Sequence, residues 1–174
     1  MNSVSGTWYR YSKRNLDKEI LFFTSSESAA EKYKQIVGKN ETQIIMFKLE
    51  GTLRLKNVAT YLKEHKSFKP KYNIINENGK RKDSTEVTAD DEREFYRELI
   101  KHARDLRDVD GFYTEESNFH HEEMVLLDRN IIRALKNFEP NTSSGGTPRR
   151  NPAQRLRKNL YIEKRYIYVG NLRF

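Results

Sequence analysis

Short apolar runs separated by polar segments dominate the chain, and most of these runs have the length and residue types of β-strands. Trp8–Tyr11 is an aromatic run that favours extended backbone, and Ile20–Phe23 is continuously apolar, as in a strand buried on both faces. Strands are predicted at Trp8–Tyr11, Ile20–Phe23, Thr42–Leu49, Thr52–Leu55, Phe112–Tyr113, Met124–Leu127 and 159–169.

A helix is predicted directly after the second apolar run. Thr24-x-x-Glu27 and Ser28-x-x-Glu31 both fit a capping box, so we expect the helix to begin within 24–33 and to end near Gly38. The backbone N–H groups at such a strand-to-helix junction point toward one spot, which favours the binding of anions.

Two further helices are predicted from their first residues. Asn57 is a suitable N-cap for a short helix over 58–62. The clearest helix follows Thr88, because acidic residues fill its first turn and apolar residues recur at helical spacing. These apolar residues are Phe95, Leu99, Ala103 and Leu106. Strands and helices together predict an α+β fold.

Polar segments connect these elements. The segment 69–82 contains the turn signal Asn78-Gly79 and is predicted to be an exposed loop. After the strand predicted at Met124–Leu127, Ile131-Ile132 adds an apolar step.

Composition excludes several classes of function. The 174-residue chain has no cysteine, which excludes a disulfide scaffold, thiolate metal sites and a thiol nucleophile. No apolar run approaches the roughly 20 residues that cross a bilayer. The first residues lack a secretory signal pattern. We therefore expect a soluble protein of the cytoplasm or another intracellular compartment, with no membrane contact.

The positive charge is concentrated near the end of the chain. The net charge is +8, yet residues 148–174 hold eight cations and one acid, Glu163, so the rest of the chain carries only +1. The preceding Pro-, Ser- and Gly-rich composition is typical of a linker. The predicted organisation is a domain over 1–138, a linker over 139–154 and a basic, strand-forming arm over 155–174.

Two short motifs are unsuitable for metal ions. With Gly111 at the sixth position of a calcium-binding loop, the first and twelfth positions would be Leu106 and Ser117, neither of which has a carboxylate. The run His120-His121-Glu122-Glu123 lacks the i, i+4 histidine pair of a metalloprotease helix, and adjacent residues of a strand face opposite sides. No metal is expected.

One constellation of residues has an order that points to a known chemistry. Arg10 and Ser12 lie on the first strand, Phe22-Phe23-Thr24-Ser25-Ser26 leads from the second strand into a helix, and Glu123 begins a late strand after Asp110-Gly111. In these motifs, residues 5–135 resemble the ADP-ribosyltransferase superfamily. The resemblance implies a split, mixed or antiparallel β-sheet core with a few flanking helices.

The resemblance also implies a function and a site. It implies cleavage of the nicotinamide–ribose bond of NAD by Glu123 and Arg10, with transfer of ADP-ribose to a macromolecule, and Glu122 is the alternative to Glu123 if the strand register slips by one. Phe119 and His121 would face the acceptor; His121 stands where the family commonly has Glu or Gln, so the acceptor type is not implied. The residues implied to contact NAD are Arg10, Tyr11, Ser12, Phe22, Thr24, Ser25 and Tyr33.

Other functions remain open from the sequence. Water could replace the acceptor, which would make the protein an NAD glycohydrolase. The cations of 149–173 are interleaved with Tyr161, Tyr166, Tyr168 and Phe174, so the segment could contact the phosphates of a nucleic acid and stack on its bases. A non-enzymatic nucleic-acid-binding protein and a degenerate transferase fold used for protein interaction are therefore the alternatives.

Overall fold

The computed structural model describes residues 2–13, 20–83, 85–103, 108–115, 122–138, 153–157 and 159–168. These residues form seven strands and four helices, which is a mixed α+β fold as predicted. In chain order the elements are β1 (Asn2–Lys13), β2 (Leu21–Thr24), α1 (Glu27–Gly38), β3 (Gln43–Asn57), α2 (Val58–Glu64), α3 (Ala89–His102), β4 (Gly111–Glu115), β5 (Glu122–Leu126), α4 (Arg129–Asn137), β6 (Ala153–Arg157) and β7 (Leu160–Tyr168).

The chain divides into two compact units, and the first consists of 1–4, 20–22 and 53–128. Its strands neighbour one another in the order β2-β5-β4-β3. Strand β4 is parallel to the end of β3 and antiparallel to β5. Helices α2 and α3 contribute to a hydrophobic core that includes Tyr61, Phe95, Leu99, Phe112 and Val125.

The second unit consists of 5–19, 23–52 and 129–174, with strand order β2-β1-β3-β7-β6 in its described part. Strands β3 and β7 are antiparallel from Gln43↔Tyr168 to Gly51↔Leu160, so part of the segment predicted as a basic arm pairs with an inner strand. Close approach of the backbone at Gly51 requires glycine, because its φ is +139° and a Cβ there would lie 1.9 Å from the Asn159 carbonyl oxygen. The buried side chains of this unit include Trp8, Phe23, Phe47, Leu135 and Ile162.

Within the described residues, the predicted strands and capped helices are confirmed in their positions, with one correction at a cap. Leu106 of the predicted third helix and residue 169 of the last predicted strand lie outside the described residues. Helix α1 begins after Ser26, whose side chain accepts a hydrogen bond from the Ala29 N–H, whereas Thr24 and Ser28 were predicted as caps. Asn57 caps α2, and Thr88 forms a reciprocal capping box with Asp91 at the start of α3.

One helix was missed, and one local prediction is wrong. Residues 129–137 form helix α4, in which Ile131 and Leu135 are buried one turn apart, whereas the sequence indicated only an apolar step at Ile131-Ile132. The loop over 69–82 is not exposed throughout, because Ile74 and Ile75 are buried in the core of the first unit. A bridge between Ile75 and Arg81 closes the turn at Asn78-Gly79.

Candidate active site

Glu123 lies at the start of β5, where it is paired across the sheet with Thr114 of β4. Its Oε2 is 3.8 Å from Nε of Arg81. The same guanidinium donates to both carboxylate oxygens of Glu92, over 2.8 Å from Nε and 2.7 Å from Nη2. We call Arg81, Glu92 and Glu123 the carboxylate cluster. Its formal charge is −1, because one guanidinium faces two carboxylates.

Local backbone structure places the members of the carboxylate cluster. Arg81 follows the turn at Gly79, whose φ of +76° favours glycine, and the Arg81 N–H donates to the carbonyl oxygen of Glu115 at the end of β4. Glu92 lies in the first turn of α3, which Thr88 caps. All of these residues belong to the first unit.

Two buried hydroxyls adjoin the carboxylate cluster. The side chains of Tyr96 and Thr114 are fully buried, and their hydroxyls lie close to each other without making a hydrogen bond of good geometry. The pKa of Tyr96 is raised well above its usual value, mainly by burial and then by the charges of Glu92 and Glu123. Tyr96 is therefore neutral throughout the physiological range.

Phe22 of β2 packs against Tyr96. Its ring packs edge-on against Tyr96, with a centroid distance of 5.5 Å and an interplanar angle of 77°. The first unit thus brings together Phe22 and Glu123, two of the predicted site residues, around Tyr96.

Three predicted NAD-contacting residues lie on β1 in the second unit. Tyr11 donates a hydrogen bond of 2.8 Å to Glu31 of α1, and the ammonium of Lys34 lies 5.6 Å from the Tyr11 ring centroid. Burial and the hydrogen bond to Glu31 raise the pKa of Tyr11 far above its ordinary value. Arg10 and Ser12 occupy the opposite face of the strand, where Ser12 is buried and Arg10 is half-buried.

The remaining predicted residues of the second unit surround the start of α1. Thr24 is buried and its hydroxyl accepts a hydrogen bond of 3.2 Å from the Ser26 N–H, whereas Ser25 is half-buried. Tyr33 is 52% exposed, so its ring does not fill the core. Phe119 and His121 lie outside the described residues.

Reasoning from the sequence missed Arg81, Glu92 and Tyr96. A signal for Glu92 exists, because it precedes Phe95 by three residues and Tyr96 by four and thus shares the buried stripe of α3. Arg81 offers no such signal, since it lies in a loop and meets its partners only in the folded chain.

Asp110-Gly111, a motif of the resemblance, has a structural role here. Asp110 is fully buried, and its carboxylate accepts hydrogen bonds from the Arg54 backbone N–H over 2.6 Å and from Nη2 of Arg54 over 3.1 Å. A Cβ at Gly111 would lie 2.3 Å from the Val125 carbonyl oxygen. The two residues therefore fix the start of β4 against β3 and β5, and with it the pairing of Thr114 with Glu123.

Comparison of the chain with protein-family models, with curated proteins and with solved structures gives no match. Within the described ranges, no helix is long and apolar enough to cross a membrane. The same part of the chain contains no group of three or more histidine, aspartate and glutamate side chains arranged to hold a metal ion.

Proposed function

We propose that the protein is an NAD-dependent ADP-ribosyltransferase with an ADP-ribosyltransferase-like fold, and that Glu123 is its catalytic carboxylate. The substrate would be NAD, and the acceptor would be a protein or a nucleic acid. The NAD glycohydrolase reaction, with water as the acceptor, is the close variant.

The charge of the carboxylate cluster is the observation that supports this proposal. Cleavage of the nicotinamide–ribose bond builds positive charge on the ribose, as in the oxocarbenium-like transition state of glycoside hydrolysis. A carboxylate held beside the ribose stabilises that charge as it develops. Glu92 accepts two hydrogen bonds from Arg81 over 2.7–2.8 Å and offsets its charge, and Glu123 is the more exposed of the two carboxylates, at 12% against 7%. Glu123 is thus the carboxylate of the pair better suited to meet a cationic sugar.

The decisive experiment replaces Glu123 by glutamine. The amide keeps the shape and loses the charge, so we expect Glu123→Gln to lower nicotinamide release by about 100-fold or more while NAD affinity changes little. Glu94→Gln is the matched control, because Glu94 lies on α3 in a solvent-exposed ion pair with Arg97 and should keep full activity. Undiminished release in Glu123→Gln would refute the assignment, and loss only in Glu122→Gln would place the catalytic residue one position earlier.

Arg10 supplies a second test, on binding rather than on catalysis. A guanidinium suits the pyrophosphate or ribose oxygens of NAD. We expect Arg10→Ala to weaken NAD binding by about 1.5–3 kcal/mol, as measured by calorimetric titration. An unchanged titration would assign Arg10 a structural role alone.

Nucleic-acid binding without catalysis is the second candidate, and the pairing of β6 with β7 favours it. Arg155 lies directly opposite Tyr161, and both side chains are exposed, so a cation suited to a phosphate adjoins a ring suited to stacking. Titration with a single-stranded oligonucleotide at several salt concentrations tests this candidate. Weaker binding by the Tyr161→Ala variant would support it, and equal binding would count against it.

A further inference from the structure

We propose that Arg81 and Glu92 are positioning residues for Glu123: Glu92 holds the guanidinium and offsets its charge, and the guanidinium orients the Glu123 carboxylate. This inference rests on the proposed function of Glu123, and it assigns roles to two residues that contact no substrate.

The geometry of the guanidinium supports the first half of the inference. Arg81 presents Nε and Nη2 to the two oxygens of Glu92, which is the bidentate arrangement that fixes both planes. Arg81 is 14% exposed and Glu92 is 7% exposed, so solvent screens this pair only weakly. The guanidinium is therefore held in place before Glu123 is considered.

The distances support the second half. Nε of Arg81 is 3.8 Å from Oε2 of Glu123, an ion-pair distance at which the guanidinium attracts and orients the carboxylate. The groups around Glu123 come from three elements. Arg81 lies in the loop before α3, Glu92 and Tyr96 lie on α3, and Thr114 lies on β4. Tyr96 and Thr114 are neutral, so Arg81 and Glu92 are the charges that set the electrostatic environment of Glu123 within this group.

Opposite substitutions should then have opposite effects on the pH dependence. In Glu92→Gln the guanidinium charge is left to Glu123, which ionises more easily and stabilises a cation less well. The acid limb of the pH–rate profile should move to lower pH, and kcat should fall about tenfold with KM little changed. In Arg81→Gln two carboxylates face each other without a cation, so the acid limb should move to higher pH.

Arg81→Lys separates charge from orientation. The ammonium keeps the positive charge but lacks the planar fork, so it cannot hold Glu92 through two parallel bonds. We expect the acid limb to stay in place and kcat to fall several-fold, a combination that loss of stability alone would not produce.

The experiment measures nicotinamide release from NAD between pH 4 and 9 for the full chain and the three variants, with Glu94→Gln as control. In parallel, the carboxyl carbon of Glu123 is followed by NMR as the pH is changed. Shifts of both midpoints in opposite directions in Glu92→Gln and Arg81→Gln are the expected result. Should Arg81→Gln fail to fold, Glu92→Gln and Arg81→Lys still give opposed expectations: a moved limb in the first and an unmoved limb in the second.

The outcomes distinguish this inference from the proposed function. Wild-type protein that releases no nicotinamide would refute the function, while the NMR titration would still test the coupling of the three side chains. Active wild-type protein, an inactive Glu123→Gln variant, an unmoved acid limb in Glu92→Gln and an undiminished kcat in Arg81→Lys would together overturn the inference and leave the function standing.

Discussion

Tyr96 carries a polar atom into a fully buried position and gives it no hydrogen bond of good geometry. An unsatisfied buried hydroxyl is destabilising by about 1–3 kcal/mol. We therefore expect Tyr96→Phe to raise the free energy of unfolding by about 1 kcal/mol, since phenylalanine keeps the ring that packs on Phe22 and Phe95. Urea unfolding at pH 7 measures this difference, and a clear loss of stability would show that the hydroxyl has a strong partner after all.

The buried phenol of Tyr96 also predicts how the free energy of unfolding depends on pH. The pKa of Tyr96 is raised in the folded protein above its ordinary value of 10.0. As the pH rises, the unfolded chain therefore loses the phenolic proton before the folded protein does. The contribution of the neutral phenol to the free energy of unfolding is complete below pH 10 and is lost above it. The loss should reach about 1.4 kcal/mol per pH unit. Unfolding at pH 9, 10 and 11 should show a shallower decline for Tyr96→Phe than for the wild type; parallel declines would contradict the assignment.

Asp110 and Asp108 form a matched pair for a third test. Both carboxylates lie near Arg54, but Asp110 is fully buried and accepts two hydrogen bonds, whereas Asp108 is exposed and 3.7 Å away. Asp110→Asn should destabilise the protein by about 2 kcal/mol, and Asp108→Asn by less than about 0.5 kcal/mol. Thermal unfolding of both variants checks this, and equal effects would mean that burial of Asp110 contributes nothing.

At the scale of elements, substitutions at the start of α1 distinguish the predicted cap from the observed one. Ser26 accepts the hydrogen bond from the Ala29 N–H, whereas the Ser28 hydroxyl shares a hydrogen bond of 3.0 Å with the Ser26 hydroxyl. We expect Ser26→Ala to destabilise the protein by about 1 kcal/mol and Ser28→Ala to have little effect. If chemical denaturation showed a larger loss of stability in Ser28→Ala than in Ser26→Ala, the predicted cap at Ser28 would be supported instead.

Elements with local signals could be predicted from the sequence. The aromatic run of β1 and the capping box at Thr88 can each be recognised from a few consecutive residues of the sequence. Helix α4 has only nine residues, too few for its helical period to be distinguished from an apolar step. The same difference between local and long-range signals applies to the candidate site. Glu123 could be named because it begins an apolar strand, but its pairing with Arg81 depends on a loop more than three dozen residues earlier, which no local pattern encodes.

At the scale of the whole molecule, β7 tests whether the basic C-terminal segment is separable. It lies between β3 and β6, and its buried residues include Leu160 and Ile162. Ending the chain after Thr147 would leave the 43–51 edge of β3 without a partner, so we expect aggregation, visible by gel filtration. The full-length variant Arg155→Gln/Arg165→Gln keeps both strands and should stay monodisperse while it loses affinity for duplex DNA. A soluble, folded truncation would show that the segment is an independent arm.

The pairing of β3 with β7 also bears on how the chain is made. The paired residues of the two strands are about a hundred residues or more apart in the sequence, so the ribosome must add all of that chain before β3 can pair with β7. During this interval the apolar side chains of β3, including Ile44, Phe47 and Leu49, have no finished sheet to enter. Formation of the complete sheet of the second unit therefore waits on synthesis of β7, and slow closure of this long loop is the step at which nascent chains are most exposed to misassembly and to chaperones.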